Sequence, residues 1–111
     1  MQYYSTRVNL NSLGSTATLA KKGRCVVTAV RAINTTAATA YTQIFDAAAI
    51  TDVTVGTTVP TWVVRSAAND PSDGDGLPTY GIVFELGVVA ASTTTALGST
   101  GATQHVRIGI S

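Results

Sequence analysis

INTTAATAYTQIFDAAAITDVTVGTTVP, residues 33–60, is the stretch whose reading decides the fold. Within it Tyr41, Gln43 and Phe45 alternate with Ala40, Thr42 and Ile44. That period of two sends successive side chains to opposite faces of a strand, one of them aromatic. A helix competes for the same residues, because Ala37, Ala40, Tyr41, Ile44, Phe45, Ala48 and Ala49 would share one face at 3.6-residue spacing. Thr35, Thr36, Thr39 and Thr42 favour the strand: β-branched side chains lose freedom in a helix and fit a pleated surface. Asp46 ends the run. The AAAITD piece after it reads as a loop or a single helical turn, and Val53, Val55, Thr57 and Val59 then alternate up to Pro60.

On the N-terminal side, residues 24–33 set Cys25, Val27, Ala29 and Arg31 on one face and Val26, Thr28, Val30 and Ala32 on the other. Two mostly apolar faces predict a central strand. Asn34-Thr35-Thr36 makes the turn between these runs and also matches a glycosylation sequon. MQYYSTRVNL has no basic region followed by an apolar core, so no secretory signal accompanies that sequon and synthesis in a cytoplasm is expected.

On the C-terminal side, residues 61–65 with Trp62, Val63 and Val64 form the next strand, at an edge or corner after Pro60. AANDPSDGDGLP, residues 67–78, is a polar surface loop. YGIVFELGVV, residues 80–89, is a strand bent at Gly87; STTTALGST, residues 92–100, is a hairpin or loop. The last run sets His105, Arg107 and Gly109 against Val106, Ile108 and Ile110. About six to eight short strands with frequent turn signals predict an all-β single domain, a β-sandwich that is jelly-roll-like. Residues 1–22 differ: Tyr3, Tyr4, Val8, Leu10, Leu13 and Leu19 are irregularly spaced, which predicts an extended N-terminal arm that orders against a neighbour. Residues 23–111 would then be the sandwich domain, able to fold without the arm.

Composition agrees with sheets and with burial against partners. The 111 residues include 19 Thr, 16 Ala and 13 Val, while only 12% are charged. The formal charge of +1 divides unevenly. Arg7, Lys21, Lys22, Arg24 and Arg31 face no acid in residues 1–40, whereas later six acids outnumber Arg65 and Arg107. The basic end suits an acidic surface; without a longer basic run or interleaved aromatics, that surface is expected to be protein and not nucleic acid. No run approaches the roughly 20 apolar residues of a membrane span, so no membrane partner is expected. Cys25, the sole cysteine, excludes an intrachain disulfide and reads as a buried thiol.

The chemistry of catalysis is not announced. The one imidazole, His105, lies in an alternating strand, and there is no G-x-S-x-G elbow, phosphate loop or Cys/His metal spacing. Asp46, Asp52, Asp70, Asp73, Asp75 and Glu85 show no spacing that requires a carboxylate pair. The acidic loop 69–76 offers clustered oxygen ligands suited to Ca²⁺. Its EF-hand register fails: with Asp73 and Asp75 at the third and fifth positions, the first and twelfth are Pro71 and Ile82. No enzyme activity, metal or cofactor is expected.

The order VTAVRAIN, AATAYTQIFDA, VGTTVPTWVV, YGIVFELGVVAASTTT and a terminal VRIGI, over residues 24–110, resembles small bacteriophage virion proteins, capsid decoration (cement) proteins in particular. The resemblance implies an all-β structural protein on the virion's capsid surface. Such a protein carries no catalytic site and binds between major capsid protein subunits as a homo-oligomer, a trimer. A tail, baseplate or fibre component, including a glycan-binding module, is the alternative. On this reading Tyr41, Gln43, Phe45 and Trp62 belong to the sandwich core or to subunit contacts, and the expected contact set is Arg7, Lys21, Lys22, Arg24, Tyr41, Phe45 and Trp62.

Overall fold

The computed structural model describes residues 6–73, 77 and 80–111, with backbone alone for 70–73. The described residues form nine strands: β1 (Thr6–Leu13), β2 (Thr18–Lys22), β3 (Cys25–Asn34), β4 (Ala40–Asp46), β5 (Trp62–Ser66), β6 (Asp70–Asp73), β7 (Ile82–Phe84), β8 (Gly87–Thr93) and β9 (Gln104–Ile110). They make two antiparallel sheets. The first runs β1-β9-β3, with β6 and β7 sharing the far edge of β3; the second runs β2-β8-β4-β5. The all-β sandwich expected from the alternating runs is what forms.

Between the sheets, β9 turns Val106, Ile108 and Ile110 inward, β3 contributes Val27, Val30 and Ala32, and β7 adds Phe84. From the other side come Ile44, Val64, Val88 and Ala90. The strand reading of residues 40–46 is right, and both faces of that strand are used. Ile44 faces the main core, while Phe45 lies on the opposite face of the second sheet in a separate cluster with Ala47, Val53, Val89 and Ala91. The 47–61 connection covers this second cluster. Its single 3-10 turn, Ile50–Asp52, matches the expected helical turn. The alternation expected over Val53–Val59 does not become a strand. The Thr57 and Thr58 amides both donate to the Thr54 carbonyl, at 2.9 and 2.8 Å, folding the chain into turns that drop Val53 and Val55 onto the Phe45 cluster.

Strand β3 departs from the simple alternation in a consequential way. Val27 pairs with Ile110 and Ala29 with Gly109, so Thr28 is an extra residue, a β-bulge. A one-residue slip moves every later side chain to the opposite face. Cys25 and Val27 point inward before the bulge; Val30, Ala32 and Asn34 point inward after it. Arg31, in frame with Cys25 and Val27 in the sequence, is thereby delivered to the solvent face.

Residues 6–22 are not an arm. β1 pairs with β9 from Thr6↔Ile110 to Leu10↔Val106, and β2 pairs with β8 from Thr18↔Ala90 to Lys22↔Gly87. This segment supplies one edge strand to each sheet. An edge strand needs only one buried face, so Leu13 enters the core and Val8, Leu10 and Ala20 pack against it, too sparse a pattern to read as a strand without its partners.

The residue of the sequon is fully buried. The Asn34 Nδ2 donates to the carbonyls of Ala38 (2.9 Å), Ala67 (3.0 Å) and Ser66 (3.2 Å), and its Oδ1 accepts from the Thr36 amide (3.0 Å) and hydroxyl (2.6 Å). Every polar atom of the amide is engaged in fastening the β3–β4 turn to the end of β5, so no face is left for a glycan. Asn34→Ala leaves these groups without their partner and is expected to lower stability by about 1–3 kcal/mol, read as a lower urea midpoint at unchanged m-value.

Candidate functional site

The outer faces of the two sheets are unlike each other. The second is covered by the 47–61 connection, whereas the β1-β9-β3 face of the first is exposed and basic. Cross-strand register assembles that face in two rows. Asn9, Arg107 and Arg31 lie side by side on β1, β9 and β3; in the next row are Arg7, Gly109 and Ala29. Directly opposed residues sit about 5 Å apart at Cβ, and rows on one face are about 7 Å apart. Three guanidinium-bearing side chains therefore ring Gly109. A side chain at that glycine would meet the Thr28 hydroxyl at 3.1 Å and the Ala29 Cβ at 3.4 Å. With hydrogen there, a dent of about 430 Å³ opens, lined by the three arginines with Thr6, Thr28, Ala29 and Gly109.

No described acid pairs with the arginines of this dent. Among the described residues the ion pair is elsewhere, Arg24 Nε to Glu85 Oε2 at 3.0 Å, with both side chains about two-thirds exposed at 66% and 64%. Such an exposed pair adds little. Arg31 directly faces Arg107, and like charges opposed across strands destabilise a sheet. Arg31→Gln is accordingly expected to raise stability by roughly 0.2–1 kcal/mol at low salt, with the gain shrinking as salt is added; paired thermal melts check it.

Of the seven residues expected to make contacts, only Arg7 belongs to this dent. Lys21 and Lys22 are exposed on β2, at the edge of the other sheet, and Arg24 holds Glu85 in the β2–β3 turn region. Tyr41 is half-buried opposite Arg65, and Trp62 is half-buried against the main core. Phe45 is 1% exposed and serves the second cluster, so it is not available to another subunit. Gln43 is likewise internal, its Nε2 donating to Thr93 Oγ1 at 2.8 Å and to the Gly98 carbonyl at 3.0 Å. Arg31 and Arg107 were absent from the expected set. A signal for Arg31 was present, since an arginine in frame with core residues implies that the frame shifts before it.

The other candidates have plainer surroundings. His105 is exposed, and its Nδ1 accepts the Ser12 backbone amide at 3.3 Å, which secures the irregular end of β1 where Ser12 has φ 61°. Burial pushes the Cys25 thiol pKa up; Lys21 opposes that shift and Asp46 adds to it, leaving a protonated, poorly nucleophilic thiol at neutral pH. The Asp46 carboxylate accepts the amides of Glu85 (3.0 Å) and Leu86 (2.8 Å), a role in shaping the corner between the sheets. Among the described residues no group of three His, Cys, Asp or Glu is placed to hold a metal ion, and no helix is long and apolar enough to cross a membrane. The acidic loop 69–76 considered for Ca²⁺ lies largely outside the described residues; the backbone of Asp70–Asp73 is β6.

No family model, curated protein or solved structure matches this chain.

Proposed function

We propose that this chain is a structural subunit of a bacteriophage particle: a jelly roll that decorates the capsid surface, binding between major coat subunits as a homotrimer. The observation that carries the reading is the strand order. Sheets running β1-β9-β3-β6/β7 and β2-β8-β4-β5 have the connectivity of two interleaved Greek keys, with β6 and β7 as the two halves of one interrupted edge strand. Double-sheet jelly rolls recur in viral shells and in lectins. Between these, the shell role is favoured by the exposed face of the first sheet, which is ringed by arginines and, among the described residues, has no aromatic platform for a sugar. A trimer presents that face three times, and repeated contacts on a shell add avidity to individually weak ones.

The test is the copy number of the chain in purified particles of the phage that encodes it, by quantitative mass spectrometry against the major coat protein. Hundreds of copies, comparable with the coat subunit, are the expected result. A few to a few dozen copies would move the protein to the tail or fibre, and complete absence would overturn a virion role.

A further inference from the structure

Resting on that shell role, we infer that the dent between Arg7, Arg31 and Arg107 is the docking face for an extended, carboxylate-bearing segment of a partner protein. Three of the chain's seven lysines and arginines gather here, two directly opposed and none paired with a described acid. In a protein with so few charges, a repulsive cluster whose third member, Arg31, is turned to the surface by a bulge is the arrangement expected when an external anion completes it.

Carboxylate chemistry fits the groups present. Guanidinium is a planar fork that grips a carboxylate through two parallel N–H donors, and arginine stands at all three positions where lysine would supply charge alone. Spacing fits an extended segment. The two rows of the face are about 7 Å apart, close to the distance between alternate side chains of a strand, so Asp or Glu at every second residue can reach Arg107 with Arg31 in one row and Arg7 in the next. Gly109 and Ala29 keep the floor low enough for a backbone to approach. Nucleic acid fits less well, because among the described residues no aromatic side chain lines the dent to stack a base, and three cations make a short track for a phosphate backbone.

The test is fluorescence anisotropy with the full chain and a labelled short peptide alternating Glu and Ser. A Lys/Ser peptide of equal length, a single-stranded DNA and a duplex DNA serve as comparisons, at about 50 and about 300 mM salt. Preferential binding of the Glu peptide is expected, weakened about tenfold by higher salt and at least tenfold by the double substitution Arg31→Gln, Arg107→Gln. Arg31→Lys with Arg107→Lys should give an intermediate loss, because charge remains and the fork does not. A melting temperature equal to or above wild type in the Gln variant shows that lost binding is not lost folding. Equal binding of the Glu and Lys peptides, no binding of either, an unaffected Gln variant, or tighter binding of DNA than of the Glu peptide would each overturn the inference. Peptide binding by a protein missing from particles would keep the dent and remove the shell role. High copy number without peptide binding would do the reverse.

Discussion

A chain lacking residues 1–22 is expected to be unfolded, with no cooperative thermal or urea transition and a disordered far-ultraviolet circular dichroism spectrum. The deletion removes an edge strand from each sheet. Without β1, the inward faces of β9 lose Leu13, Leu10 and Val8, and the β9 backbone loses the ladder running from Thr6↔Ile110 to Leu10↔Val106. Without β2, β8 loses the ladder from Thr18↔Ala90 to Lys22↔Gly87, and Ala17 no longer helps to cover the Phe45 cluster. Burying one large aliphatic side chain contributes about 1.5–3 kcal/mol, and a domain of this size is held by only about 5–15 kcal/mol in total. Loss of several such residues together with two ladders exhausts that margin. A truncated chain that melted cooperatively near the wild-type midpoint would show that residues 6–22 are dispensable, as an arm would be.

Gly87→Ala is expected to be strongly destabilising, lowering stability by about 3–5 kcal/mol. Gly87 is where the chain leaves β7 in the first sheet and enters β8 in the second. Its φ of 150° is unfavourable for any residue with a side chain, and a Cβ there would lie 2.6 Å from the Lys21 carbonyl and 2.7 Å from the Ala47 carbonyl. Both obstacles are backbone atoms. Lys21 is in β2, and Ala47 follows β4 directly, its amide donating to the Gly87 carbonyl at 3.2 Å, so neither can move without breaking its own strand's pairing. Asp46 pins the same corner by accepting the Glu85 and Leu86 amides. Gly14→Ala is the control: no atom lies within 4 Å of a Cβ at that position, and its effect should be close to zero. Urea titrations of the two variants side by side check the contrast; equal, small effects would mean that the corner is more yielding than its contacts imply.

Where the alternation is unbroken and the buried face continuous, the fold is legible in the sequence. β9 buries Val106, Ile108 and Ile110 and exposes His105 and Arg107, as its pattern dictates, and residues 40–46 are a strand despite their helical periodicity. Legibility stops where geometry depends on distant partners. YGIVFELGVV reads as one bent strand, yet Glu85 and Leu86 separate two strands that belong to different sheets, because Asp46, far away in sequence, holds the amides of that break. The valines of 53–59 alternate like a strand, but local threonine hydrogen bonds turn Val53 and Val55 into a cover for Phe45 and leave Val59 exposed. Edge strands β1 and β2 read as an arm because their partners, β9 and β8, lie at the other end of the chain.

The candidate site was the least legible part. Its basic character was visible in the charge imbalance of residues 1–40, but its composition was not: Arg7 comes from the supposed arm, Arg107 from the last strand, and Arg31 reaches the surface only through the bulge at Thr28. Lys21, Lys22 and Arg24, the densest cations in the sequence, are placed apart from that face. Sequence density and spatial density of charge differ here because antiparallel pairing joins the chain's ends.

Restoring the protein to particles that lack it joins the sandwich, its exposed face and the proposed shell role in one measurement. Wild-type protein is expected to saturate the particles with hundreds of copies. The variant carrying Arg31→Glu and Arg107→Glu, verified to melt cooperatively and to keep the wild-type oligomeric state, is expected to leave them bare. Saturation by that variant at the wild-type concentration would contradict attachment through the arginine face.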